Sequence, residues 1–312
     1  MDPNLLHWKS QEESFFRRLK IWLDLLDPTL LLSSDAEIQK ANTLLRSGEK
    51  LSEEDTSALS LSLSSVHAGS GEVLPLPFRP PAVFPVSGTL VVASFLPHRT
   101  VKPALFWQFL VQSYMAGFNH INRNRSLEKE GPRTTLNHQL LMAGTVSVST
   151  CAGALPQIFI NRLRVTSPPI KTFCRFLLPI PLSAGLAFFN LLTIRHEEMD
   201  TGIQVFDDNG KPVGVSKAAG EQAVKNTALS RAVLFGTTAA VPNLMFLLLN
   251  SWRPFQRNLT SYRHITVAFV LGLMIPVSFS LFPQVGTIQR ENVEAELQGG
   301  ALGEKLLYHR GL

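Results

Sequence analysis

Phe176-Leu-Leu-Pro-Ile-Pro-Leu-Ser-Ala-Gly-Leu-Ala-Phe-Phe-Asn-Leu-Leu-Thr-Ile194 runs from Arg175 to Arg195 without one Asp, Glu, Lys or Arg. A helix rises about 1.5 Å per residue, so about 20 such residues cross the ~30 Å hydrocarbon core of a bilayer. Five more gaps of this kind separate Arg79 from Arg99, Lys102 from Arg123, Arg133 from Arg162, Arg231 from Arg253 and Arg263 from Arg290; the six hold 19 to 28 uncharged residues each. A soluble enzyme breaks its apolar runs with charge far more often. Charged residues make up 17% of the chain, below the ~25% of an ordinary soluble domain, and they gather in the N-terminal quarter, the connectors and the C-terminal end. The pattern predicts an all-α membrane protein with about five transmembrane helices, a helical N-terminal soluble region and one small β-hairpin in a loop.

The clearest spans are expected at about 82–97, 138–160, 176–194, 232–252 and 265–284. Residues 103–122 are long enough to cross, but they carry Gln108, Gln112, Ser113, Asn119, His120 and Asn122. A segment this polar lies at the interface or lines the protein interior, and it is not counted as a span. Pro156, Pro179, Pro181, Pro242 and Pro276 interrupt the apolar runs. Such breaks are either plain kinks or parts of a substrate path. The Lys and Arg on the two sides balance, so the orientation is not readable.

Residues 1–79 read as the soluble, mostly helical region, 80–289 as the transmembrane region with a connector at 195–231, and 290–312 as a C-terminal tail. Phe15, Phe16, Leu19, Ile21, Trp22, Leu23 and Leu26 recur at helical spacing and predict an amphipathic helix that ends before Pro28. Ser33-Ser34-Asp35 opens a second helix toward Arg46, and Ser52 with Glu54 and Asp55 starts a third. Four prolines between Pro75 and Pro81 predict a stiff linker. In the connector, Asn209-Gly210 between two short apolar strands predicts a hairpin, followed by a helix from Ser216.

Chemical motifs are sparse. There is no nucleotide loop, zinc spacing or nucleophile elbow, so neither an enzyme nor a bound cofactor or metal is expected. The net charge of +5 comes without any basic run interleaved with aromatics, which argues against a nucleic-acid partner. Cys151 and Cys174 lie in or beside apolar segments and give no disulfide framework. His196-Glu197-Glu198 reads as a solvated cluster after a helix. Residues 1–20 contain Asp2, Glu12 and Glu13 and no long apolar run, so an internal targeting signal is expected. The best local pointer is the set Gln112, Ser113, Asn119 and Asn122, which shares one helix face over three turns. Amides there suit either a zwitterionic amino acid or helix–helix hydrogen bonding.

The stretches Leu25-Leu-Asp-Pro-Thr29, Phe106-Trp-Gln108, Gln112-Ser-Tyr114 with Asn119 and Asn122-Arg123, Gly202-Ile203 with Asp208-Asn-Gly210, Phe282-Pro-Gln284 and Glu294-Ala-Glu-Leu-Gln298 give the chain a resemblance to the sideroflexins. Those are multi-pass proteins of the mitochondrial inner membrane that include serine carriers, and the resemblance runs from about Trp8 to Leu312. It implies a substrate-binding set of Gln112, Ser113, Asn119, Asn122 and His67. Phe78-Arg-Pro80, Ala116-Gly-Phe-Asn119, Leu141-Met-Ala-Gly144, Leu234-Phe-Gly236 and Tyr308-His-Arg-Gly311 resemble a divergent branch of that family. That branch implies a role in respiratory complex I assembly and in iron–sulfur cluster or iron homeostasis.

Two departures bear on substrate. The family's His-Pro-Asp-Thr-Gly hallmark stands here as His67-Ala-Gly-Ser-Gly71, and Met115 replaces a usual asparagine. Each lost contact costs ~1–3 kcal/mol of binding if those groups hold the solute, so poor serine transport is expected. The alternative is a membrane scaffold for complex I intermediates that carries no solute. Its candidate surfaces are the helix around Phe15, Phe16 and Trp22, the loop 202–216 and the tail 290–312.

Overall fold

In a computed structural model the protein is described at Trp8 and at residues 14–46, 53–95, 100–124, 132–162, 167–249, 259–298 and 304–312. Helix α1 (Phe15–Leu25) starts at Ser14, whose hydroxyl accepts from the Arg17 amide. Its inner face buries Trp22 and Leu25. Helix α2 (Asp35–Arg46) opens on a reciprocal cap, in which Ser34 N donates to the Glu37 carboxylate at 2.7 Å and Glu37 N donates to Ser34 Oγ at 3.3 Å. Helix α3 (Glu53–Ser65) packs on α2, so the serine-rich run is helical.

The prolines at 75–81 do not form an open linker. They fold into two 3-10 turns, with Pro80, Pro81 and Ala82 buried. Arg79 holds the turns in place. Its Nε donates to the Leu74 carbonyl at 2.9 Å and its Nη2 pairs with Asp35 at 2.7 Å.

Helix α4 (Val83–Ser94) follows, then α5 (Val101–Ile121) and the bent pair α6 (Pro132–Gly153) and α7 (Leu155–Arg162). The 43° bend falls just before Pro156. That ring has no N–H to donate, and it clashes with the carbonyl one turn earlier, which kinks a helix. A short helix α8 (Pro168–Thr172), a π turn over Phe173–Leu177 and α9 (Pro179–Ile194) form one span. In the π turn Leu178 N donates to the Phe173 carbonyl, because Pro179 and Pro181 withdraw the next regular donors. After the short helix α10 (His196–Asp200) and the hairpin come α11 (Lys217–Leu249) and α12 (Leu259–Ser280). The closest helix neighbours are α9 with α11 and α11 with α12.

Among the described residues three helices are long and apolar enough to cross a membrane, at Pro168–Ile194, Lys217–Leu249 and Ser261–Ser280, and the bent pair makes up to four. About five were expected. The difference is α4, whose 12 residues rise only about 18 Å against a ~30 Å hydrocarbon core. The 103–122 segment is helical and remains too polar to qualify. The last span ends at Ser280, so Phe282-Pro-Gln284 lies beyond it. On the candidate spans, apolar side chains such as Leu248, Ile265 and Phe269 stand exposed, which suits contact with lipid.

The expected hairpin is present as β1 (Ile203–Phe206) and β2 (Pro212–Ser216), joined by a turn in which Asp207 accepts from Lys211 N and Gly210 has φ 77°. It belongs to a larger sheet. Strands β3 (Val285–Gln289) and β4 (Lys305–His309) extend it to four antiparallel strands in the order β2-β1-β4-β3. A short helix, α13 (Ala295–Gln298), bridges them. The segment after residue 290, read as a tail, therefore contains an inner strand whose Leu306, Leu307 and Tyr308 are buried.

Glu294 ties this segment to the bundle. Its carboxylate accepts from the Lys217 and Ala218 amides at 2.7 and 3.2 Å, which caps α11 from 76 residues or more away along the chain. The N-terminal helices, the sheet and α10 thus cover one end of the bundle. Trp22 stacks on Phe279 of α12 with ring centroids 4.7 Å apart, and Arg18 Nε donates to the Ser280 carbonyl. Trp22 is therefore core, and only Phe16 of the expected aromatic patch stands largely free, at 79% exposure.

Candidate functional site

Helix α5 places one polar stripe inward. Gln108, Gln112, Met115 and Asn119 follow one another at helical spacings and line a cavity of about 150 Å³, while Phe106 and Phe109 point outward. Leu182, Ser183, Leu186, Ala187 and Asn190 of α9 form the facing wall. The bend at Pro156 and the π turn supply Gln157, Cys174 and Arg175, and Arg231 of α11 and Arg263 of α12 complete the enclosure. An engineered cavity of ~150 Å³ takes up benzene, which has six heavy atoms. This space therefore suits a solute of similar heavy-atom count, such as a small amino acid.

Three amides cross the cavity wall as a ladder. Asn119 Nδ2 donates to Asn190 Oδ1 at 3.2 Å, and Asn190 Nδ2 donates to Gln112 Oε1 at 3.4 Å. All three residues are buried. Asn119 Oδ1 is enclosed and meets no donor. Arg231, only 4% exposed, lays its guanidinium over the Phe279 ring, 4.1 Å from the centroid. Its Nη2 has no acceptor. Its charged neighbours are Arg195 and Arg310, so the field at this end of the cavity is positive.

Of the five residues expected to bind solute, Gln112 and Asn119 reach the cavity. Ser113, Asn122 and His67 do not line it. Asn122 Nδ2 donates to the carbonyls of Phe118 and Phe78, both at 3.0 Å, and so ends α5 and fastens it to the proline turns. His67 serves its own loop. Its Nδ1 accepts from the Gly69 and Ser70 amides, and its Nε2 then carries the proton and donates to the Arg123 carbonyl at 2.8 Å. The surviving histidine of the altered hallmark is thus a tie between the loop and the end of α5.

That end of the bundle is polar and tightly joined. Arg123 pairs with Glu197 at 2.8 Å, and Glu198 binds Arg195 through two contacts at 2.5 and 2.7 Å. Asn124 also donates to Glu198. Arg195 in turn donates to the Arg310 carbonyl, which fastens the residues after β4. His309 donates from Nδ1 to Asn124 Oδ1 and accepts at Nε2 from Gln284. Burial and the nearby His67, Arg195 and Arg310 push its pKa down to about 3, so the ring is neutral. Among the described residues no group of three His, Cys, Asp or Glu side chains is placed to hold a metal ion.

Two cavity residues escaped the sequence reading. Asn190 is the one amide in the span 176–194, and that isolation is the signal that finds it. Arg231 falls between the helix expected from Ser216 and the span expected at 232–252. The two are one continuous helix, Lys217–Leu249, which puts Arg231 well inside it.

The comparisons with known proteins cover nearly the whole chain. A family model described as sideroflexins matches residues 4–312. The chain is 50% identical to Sideroflexin-4 of Danio rerio over 318 residues, with 100% of both chains covered. It is 36% identical to Sideroflexin-4 of Mus musculus over 321 residues, again covering both fully. Identity to Sideroflexin-5 of Homo sapiens is 28% over 312 residues, covering 97% of this chain and 91% of the relative. No solved structure matches. With a family model that matches nearly every residue and a relative 50% identical over the full length, the chain belongs to the sideroflexin family of membrane proteins.

Proposed function

We propose that the protein carries a small amino acid across the mitochondrial inner membrane, with serine a poor substrate. The observation that carries this reading is the cavity between the helices, crossed by the Gln112–Asn190–Asn119 ladder. Burying three amides among apolar helices is unfavourable unless each is paired, and a scaffold gains nothing from leaving a space beside them. The weak serine expectation rests on Met115, which contributes a thioether to the cavity where an amide is usual in relatives, and on the absence of the hallmark's proline and acid. Effects on complex I assembly and on iron–sulfur or iron homeostasis are then consequences of solute supply.

A second reading, a scaffold for complex I intermediates, is favoured by one observation. Phe16 and Leu32 stand 79% and 88% exposed on the covering helices, where a partner protein can reach them. The test is flux of labelled small amino acids into liposomes that hold the purified protein, compared with Asn190→Leu and Ala187→Leu variants. The ladder-breaking and space-filling variants are expected to lose most of the flux while inserting normally. Wild-type flux no faster than that of protein-free liposomes for every amino acid tried would transfer support to the scaffold.

A further inference from the structure

We infer that the cavity contains a carboxylate-binding subsite centred on Arg231, with Asn119 as its ammonium acceptor. The inference rests on reading the cavity as a solute site and adds the chemistry by which the solute is held. An ionised side chain buried in a membrane helix nearly always finds a counter-charge or several acceptors. Arg231 is 4% exposed, its Nη2 meets no acceptor, and its charged neighbours are Arg195 and Arg310. Glu198 of the adjoining network is committed to Arg195. The rings of Phe279 and Phe118 lie under the guanidinium, at 4.1 and 5.7 Å to their centroids. They offset part of the burial and fix the plane of the group, and its donor edge is left for a ligand.

The rest of the wall points the same way. Among the described residues, Arg175, Arg231 and Arg263 line the cavity and no Asp or Glu does. A cation is therefore repelled, and an anion or a zwitterion is accepted. Asn119 and Arg231 both line the cavity, so an orphan acceptor and an orphan donor belong to residues that border the same space. An α-amino acid offers a carboxylate to the first arginine and an ammonium to the amide oxygen. A buried donor without a partner penalises the empty state, so removing the charge should stabilise the empty protein while weakening the ligand, as happens at sites kept for function.

The test uses the full chain in detergent and follows thermal unfolding with L-alanine, propionate, L-alaninamide or sodium chloride at equal ionic strength. L-Alanine and propionate are expected to raise the melting temperature of the wild type, whereas alaninamide and chloride are not. In Arg231→Gln the half-saturating concentration should rise at least tenfold, Arg231→Lys should recover part of it, and the ligand-free melting temperature of Arg231→Gln should equal or exceed that of the wild type. An alaninamide or chloride response equal to that of alanine overturns the subsite. So does an Arg231→Gln protein that is less stable without ligand yet responds to alanine as the wild type does. If no carboxylate shifts the wild type while liposomes still take up a labelled amino acid, the subsite is wrong and the carrier reading stands. If the uptake is also absent, both fail.

Discussion

Replacing Gly220 by alanine tests how closely the end of the bundle is fitted. A Cβ on Gly220 would sit 2.9 Å from the carbonyl carbon of Glu198, and nearer still to its oxygen. Ordinary contacts begin at 3.4 Å, so the backbone of α10 must retreat by at least half an ångström. The atom in the way is main chain, so no side-chain rotation relieves it. Overpacking of this kind costs ~1–3 kcal/mol. The retreat also pulls on the Glu198 carboxylate, whose bonds to Arg195 are 2.5 and 2.7 Å long, and weakening one such charge-assisted bond adds ~1.5–3 kcal/mol. The sum is about 2.5–6 kcal/mol, or roughly 4–9 °C in melting temperature for a chain of 312 residues. The assay is tryptophan-fluorescence melting of the purified protein. Gly144→Ala and Gly185→Ala serve as controls, because a Cβ at either position meets nothing within 4 Å. If Gly220→Ala melts within 1–2 °C of these controls, the close approach of α10 and α11 is not what holds the covering elements in place.

Trp22→Ala should cost ~3–5 kcal/mol by leaving a hole against Phe279, whereas Trp22→Phe should cost roughly 1–2 kcal/mol because the indole N–H has no acceptor to lose; chemical denaturation separates the two. Glu294→Ala should cost ~1–2 kcal/mol by uncapping α11, read as faster amide exchange in its first turn. His309 is neutral when folded, with its pKa depressed to about 3 against 6.5 unfolded, so its contribution is complete above about pH 7 and is lost as pH falls. Between pH 7.5 and 5.0 the wild type should lose ~2 kcal/mol that His309→Gln does not lose, and parallel melting profiles would refute this. Deleting residues 304–312 should abolish folding, measured as loss of membrane-inserted protein, because it removes Leu306, Leu307 and Tyr308 from the core.

Much of the fold was legible because the membrane imposes a simple rule on charge. The gap between Arg175 and Arg195, with its cluster of prolines, announced a broken span, and Asn209-Gly210 announced its hairpin. The same rule concealed the site. It treats charge as punctuation between spans, so Arg231 read as a border although α11 carries it well inside a 33-residue helix. Strands β3 and β4 were hidden for another reason. Each is five residues long, and each is specified by partners far away in the chain, such as Tyr308 opposite Val205 and Gly286. Local pattern carries no trace of such pairing. Gln112 and Asn119 were found because polar groups inside a long helix demand a reason. Asn122 met the same criterion and has another reason, closing the end of α5, while His67, which entered through the altered hallmark, holds its own loop.

The strand order has a consequence for how the molecule is built. Strands β1 and β3 flank β4 and do not pair with each other, so neither can complete its hydrogen bonding until β4 has been synthesised. Helices α9, α11 and α12 precede β4 and can enter the bilayer before it appears. During that interval β1 and β3 expose unpaired backbone edges, which invite pairing with other chains. The Glu294 cap reaches α11 from the segment between β3 and β4, so it too comes after insertion. Assembly therefore divides into an early insertion and a late closure over one end of the bundle. The interval between them is when the chain is most in need of a chaperone.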